Sequence, residues 1–198
     1  MGSWGVKALE SDNGLDLISL LKTDYLPKHK KLTLGGLIGF LKEEGFLGET
    51  VSEIDFLYDN TAIALAELYS EWRETGKLNY DDEDSNVWSA ITNFSASATA
   101  RKDLLRRLRS IKNQVPDEDG EREIVELWKE SNNWESWDKH LDSLIEVVCL
   151  LASTSCPASF LCTISAIQIS EKLTFLMCIP FMNFISCFKA TPASRLDR

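Results

Sequence analysis

The first 148 residues of this chain contain no cysteine, and the last 50 contain neither glycine nor tryptophan. Acidic residues are also scarce at the end of the chain, where residues 149–198 carry only two acidic side chains against four basic ones. Residues 1–148 carry 29 acidic and 17 basic side chains, so the net charge changes from −12 to +2 at the break. We therefore predict an acidic domain at 1–148 and a hydrophobic, cysteine-rich tail at 149–198.

The chain also lacks the short motifs of common catalytic and cofactor sites. It contains no HExxH, Walker, GxSxG, GxGxxG or CxxC pattern. The two histidines are His29, in a lysine-rich linker, and His140, at the edge of an apolar helix face. The spacing of the five cysteines matches no zinc site, and in a reducing cytosol they would be free thiols. We predict no cofactor and no metal, and enzymatic activity is disfavoured but left open.

The formal net charge of −10 argues against nucleic acid or an anionic membrane surface as a general partner. The exception is the segment from Arg101 to Lys112, where six positive charges lie within twelve residues. We expect these cations to pair with the acidic loops of the same chain. The charge balance then favours a protein partner with a basic surface.

Hydrophobic periodicity predicts an all-α fold, a bundle of six or seven helices with a hydrophobic C-terminal extension. Apolar residues recur at helical spacing in several segments, and no persuasive alternating strand is visible. Thr33 is predicted to cap one helix, which Gly45 ends. The longest pattern follows a capping box at 50–53 and ends at Gly76, which predicts a central helix roughly 37 Å long.

Several carboxylates are candidates for acid–base chemistry or metal binding. Asp16, Asp55 and Asp59 fall on predicted helices, and Asp55 and Asp59 share a helix face at i, i+4 spacing. In the run Glu121-Arg122-Glu123 an arginine lies between two carboxylates. This run is typical of a phosphate or substrate clamp or of a structural ion pair, and we favour the ion pair.

The opening of the chain resembles a known bacterial family. The opening motifs are M-G-S-W-G at 1–5, which contains Trp4, the run from Glu10 to Asn13, which contains Asp12 and Asn13, and the pair Leu15-Asp16. A later stretch also matches, at 116–123 and at Glu126-Leu127-Trp128. These residues are similar to the uncharacterised family labelled domain of unknown function four-two-five-nine, over about residues 1 to 148. The resemblance implies a small, acidic, cytoplasmic, mostly helical bacterial protein, and no catalytic residue carries over. The glycines beside Trp4 favour a terminal segment that folds back and buries the indole.

The tail departs from the family pattern and leaves three interpretations open. Twenty-four uncharged residues separate Glu146 from Glu171, which is long enough to span a membrane. Serine and threonine dilute this stretch and Pro157 interrupts it. The tail is therefore a membrane hairpin within 147–188, the product of an altered reading frame, or a helical extension packed on the bundle.

We accordingly expect a non-enzymatic protein-interaction module, for instance an immunity protein that masks a basic toxin surface. No cationic and apolar leader opens the chain, so we expect a cytoplasmic location. One alternative is a small metal-dependent hydrolase using Asp16, Asp55, Asp59 or Glu121. The other is a membrane-tethered helical module, associated with the membrane through the tail.

Overall fold

The computed structural model describes residues 5–81, 86–118 and 120–150. Trp4, the acidic residues at 82–84 and the tail from residue 151 lie outside the described residues. The predictions made for them, including the nature of the tail, stay predictions.

Helices dominate the described part of the chain, which confirms the predicted all-α class. The six α-helices are α1 (Asp12–Leu20), α2 (Leu34–Glu43), α3 (Phe56–Thr75), α4 (Ala98–Lys112), α5 (Glu123–Glu130) and α6 (Trp134–Leu150). A 3-10 turn at Ala8–Glu10 precedes α1, which continues into a π-helical turn at Leu21–Tyr25 and a 3-10 turn at Leu26–Lys28. The apolar faces predicted from periodicity therefore belong to helices that the structure contains.

Two short strands correct the expectation that the domain has none. Strand β1 (Lys31–Thr33) pairs in parallel with β2 (Asn93–Ser95), with Leu32 opposite Phe94. Both of these central residues are buried, and their neighbours on each strand are exposed. Strands of three residues contain only one inward-facing position each, so they leave no alternating pattern to recognise.

Helix ends agree with the sequence at some positions and differ at others. The Thr33 hydroxyl accepts a hydrogen bond from the Gly36 amide and caps α2, as predicted. Helix α3 begins later than predicted, because Asp55 is its cap and the segment 50–53 forms a turn. In that turn the hydrogen bond from the Thr50 hydroxyl lowers the pKa of Glu53. Helix α3 is therefore 20 residues and about 30 Å long.

Helix α3 is the centre of the bundle, as its wide apolar stripe predicts. All of its residues from 59 to 69 are buried. It packs against α1, α4, α5, α6 and the 3-10 turn at Ala8–Glu10. The small side chains of Ala62, Ala64 and Ala66 lie within this stretch and let neighbouring helices approach closely.

Two cations of the basic helix α4 form ion pairs within the domain, with carboxylates that lie on helices. Lys112 Nζ lies 2.7 Å from Asp138 Oδ1 and 2.8 Å from Asp142 Oδ2, both on α6. Burial lowers the pKa of Lys112, yet the hydrogen bonds that its ammonium group donates to these carboxylates outweigh burial and hold the pKa above its usual value. Arg107 is buried and donates to the Gly48 carbonyl oxygen at 2.8 Å and to Asp103 at 3.3 Å.

The composition break falls inside the last turn of α6. This helix continues from Trp134 to Leu150, and Val148 is buried in the core. Among the described residues, no helix combines the length and the apolar character that crossing a membrane requires.

Close backbone packing occurs at Gly14, in the first turn of α1. An added Cβ on Gly39 would meet nothing within 4 Å, and one on Gly35 would lie in ordinary contact with Cβ of Ala100 at 3.7 Å. At Gly14, by contrast, an added Cβ would lie 2.2 Å from the Ala8 carbonyl oxygen and 2.6 Å from Leu9 Cα. Gly14 therefore lets the N-terminal turn lie directly on α1.

We expect Gly14→Ala to lower the free energy of unfolding by about 3 kcal/mol, because the new methyl group meets backbone atoms. Gly39→Ala is the matched control, and it should raise stability by about 0.5–1 kcal/mol through helix propensity. Urea denaturation monitored by circular dichroism measures both. Equal effects of the two substitutions would contradict the close approach at Gly14.

Candidate functional site

A cleft of about 430 Å³ opens between the N-terminal segment, the first turns of α3, and α5 with the start of α6. Four of the candidates chosen from sequence line it: Asp12, Asn13, Glu123 and Trp128. A volume in this range is typical of sites that hold a small molecule or a few side chains. Candidate residues that lie far apart in the sequence therefore come together at this cleft.

The floor of the cleft is aromatic. Trp137 is 2% exposed, and its ring stacks on that of Trp128 with centroids 5.6 Å apart and an interplanar angle of 14°. Trp134 packs against Trp137 from another direction, at 5.5 Å. Leu127, at the edge, is 46% exposed although it is a large apolar side chain. Stacking holds the indoles of Trp128 and Trp137 in place without a bound ligand.

The rim of the cleft is polar, and its two carboxylates outnumber its one ammonium group. Asp12 and Asn13 come from the first turn of α1, and Glu123 is the first residue of α5. Lys7 is the cation among the lining residues. Asn60 is buried at the base, where its side-chain nitrogen lies 3.4 Å from the Ser11 hydroxyl oxygen. The lining thus combines two carboxylates, several amides and one ammonium group.

A buried ion pair adjoins the cleft, because its members directly precede the lining residues Asn60 and Glu123 in sequence. Arg122 donates to both carboxylate oxygens of Asp59, from Nε at 2.7 Å and from Nη2 at 2.5 Å. Its remaining nitrogen, Nη1, donates to the Ser110 hydroxyl at 2.9 Å and to the Val115 carbonyl oxygen at 3.0 Å. Both charged side chains are at most 7% exposed. Arg122 is therefore part of a structural ion pair, as the sequence favoured, and its partner is Asp59 rather than its neighbours.

Burial raises the pKa of Asp59 above its usual value, and the hydrogen bonds and charge of Arg122 oppose this shift. The two groups depend on each other, because either one alone would be a buried charge without compensation. The pair also joins the start of α5 to α3, which places Glu123 and Trp128 beside the cleft.

We expect Arg122→Met to destabilise the domain by about 3–5 kcal/mol, since it leaves the Asp59 carboxylate buried and unpaired. The double variant Asp59→Leu/Arg122→Met should be less destabilised than Arg122→Met alone, because it removes both charges. Lys129→Met breaks an exposed pair with Glu126 and should cost less than about 1 kcal/mol. Denaturant unfolding of the three variants tests this order, and a double variant no more stable than Arg122→Met would contradict it.

A second buried carboxylate holds the N-terminal wall of the cleft. Glu67, on α3, accepts hydrogen bonds from the amides of Ala8 at 2.8 Å and Leu9 at 2.9 Å. Its Oε1 atom also lies 2.7 Å from Nε2 of His140 on α6. The sequence predicted that His140 lies at the edge of an apolar helix face, and it did not single out Glu67. The available signal was a lone carboxylate in an otherwise apolar stretch of the central helix.

We expect Glu67→Gln to weaken this attachment, because the amide offers one acceptor oxygen where the carboxylate offers two. The backbone amides of Ala8 and Leu9 should then exchange at least about tenfold faster, which corresponds to about 1.4 kcal/mol. Native-state hydrogen exchange measures this, with Glu135→Gln on the exposed face of α6 as control. Unchanged exchange at Ala8 and Leu9 would show that Glu67 does not hold the wall.

The remaining candidate carboxylates do not line the cleft. Asp16 is exposed on α1, Asp55 caps α3 by accepting from the Leu57 amide, and the Glu121 amide donates to Asp117. Asp55 and Asp59, which were candidates because they share a helix face, have separate structural roles. Within 5–81, 86–118 and 120–150, no three His, Cys, Asp or Glu side chains group so as to hold a metal ion.

The fold and the cleft together define a small helical domain with an acid-rimmed, tryptophan-floored cavity. The chain belongs to the family described as Domain of unknown function (DUF4259), whose sequence profile matches residues 2–140. This confirms the family predicted from the opening motif; the match ends at 140, ahead of the break in composition. No curated protein and no solved structure matches the chain.

Proposed function

We propose that this chain is a non-enzymatic protein-interaction module, and that the face carrying the cleft binds a basic region of a partner protein. The observation that carries the proposal is the combination of an acidic rim with a fixed tryptophan floor. Interfaces derive much of their affinity from such aromatic anchors, while charges around them select the partner.

The charge of the domain supports the same partner. Residues 1–148 carry a net charge of −12, which accelerates association with a basic protein and disfavours acidic ones. Leu127 adds an exposed apolar side chain at the edge of the cleft. A basic surface with a protruding apolar or cationic side chain would match both features.

The polar groups near the cleft support binding more than catalysis. The Ser11 hydroxyl donates to the Ala8 carbonyl oxygen at 2.6 Å and accepts from the Gly14 amide at 3.1 Å, so it caps α1. Asp59 and Arg122 are engaged with each other. An immunity protein that masks a basic toxin surface in the cytoplasm is one form of this function.

Site-specific photo-crosslinking tests the proposal. A photoreactive amino acid in place of Leu127, at the cleft edge, should give an adduct with a defined protein that has a basic surface. The same amino acid in place of Leu15 is the matched control, because Leu15 is 53% exposed on α1 and does not line the cleft. The adduct should also decrease as salt concentration rises.

Mass spectrometry of the adducts decides the outcome. A basic protein crosslinked from position 127 and not from position 15 supports a specific interface at the cleft. Identical adducts from both positions, or none from position 127, would overturn the proposal.

A further inference from the structure

We infer that the cleft recognises a single arginine side chain presented by the partner. This inference rests on the proposed function and specifies the chemistry of the docking point. A cavity of about 430 Å³ is near the small end of ligand sites, so it admits one or two side chains rather than a whole helix.

The tryptophan floor suits a guanidinium group better than an ammonium group. Trp128 lines the cleft while its ring is held by stacking on the buried Trp137. A planar guanidinium stacks on such a fixed indole. It is also less strongly hydrated than the lysine ammonium, so it loses less hydration free energy when it leaves water. The alkyl stem of the arginine would then lie against the apolar lining from Phe56 and Leu127.

The rim supplies acceptors for the five N–H donors of arginine. Asp12 and Glu123 contribute carboxylates, and Asn13 and Asn133 contribute amide oxygens. Lys7 repels any cation in the cleft, but the two carboxylates outnumber it. Arginine and its uncharged isostere citrulline have nearly the same shape, so comparing them isolates the effect of charge.

A nuclear magnetic resonance titration of the full-length chain provides the test. The probes are three blocked pentapeptides that differ only at the central residue, which is arginine, lysine or citrulline between flanking leucines. The arginine peptide should shift the Trp128 indole signal and the amides of 12, 123 and 128 in a saturable manner. The lysine peptide should bind about threefold more weakly, and the citrulline peptide at least about tenfold more weakly.

Glu123→Gln and Glu126→Gln form a matched pair of variants on α5. Glu123 lines the cleft, whereas Glu126 is exposed outside it and pairs with Lys129. Glu123→Gln should weaken binding of the arginine peptide at least about threefold, and Glu126→Gln should leave it unchanged. The spectrum of each free variant shows directly that it is folded.

The outcomes separate this inference from the proposed function. Equal binding of the arginine and citrulline peptides, or shifts confined to other surfaces, would overturn the arginine site. If crosslinking from position 127 still captures a basic protein, the interaction module stands and only its docking chemistry is wrong. If the arginine peptide binds as expected but no protein crosslinks, the site stands and the proposed function fails.

Discussion

The buried ion pair between Asp59 and Arg122 is the constraint on which the candidate site depends. It joins α3 to the start of α5 across 63 residues of sequence, and all three guanidinium nitrogens are used within the domain. Because Arg122 is fixed, the helix that follows it starts in a defined direction. That direction places Glu123 on the rim of the cleft and Trp128 on its floor.

Helix α3 thus carries two buried carboxylates with complementary tasks. Asp59 fixes α5 on one side of the cleft, and Glu67 fixes the N-terminal turn on another. Buried charges contribute little net stability compared with apolar packing, but they penalise every arrangement that leaves them unpaired. The walls of a binding site therefore gain definite positions from groups that never contact a ligand.

The sequence predicted the helices well and the site only in part. Caps at Thr33 and Gly76 could be read directly, because capping depends on one side chain or one φ angle. The strands could not be predicted, since a segment of three residues is too short to show the alternation of buried and exposed side chains. The members of the cleft come from three distant segments, and only tertiary packing brings Asp12, Glu123 and Trp128 together. Glu67 was missed for the same reason: its partners are the backbone amides of Ala8 and Leu9, and backbone groups leave no trace in the sequence.

The Oε1 atom of Glu67 contacts both the Ala8 amide and Nε2 of His140. One oxygen atom is thus shared between the beginning of the described chain and its last helix. Neither segment can move without altering the hydrogen bond of the other, so the two do not fluctuate independently. The cleft wall and α6 therefore form one cooperative unit, and a ligand that restrains the wall would also restrain a helix whose far end it does not touch.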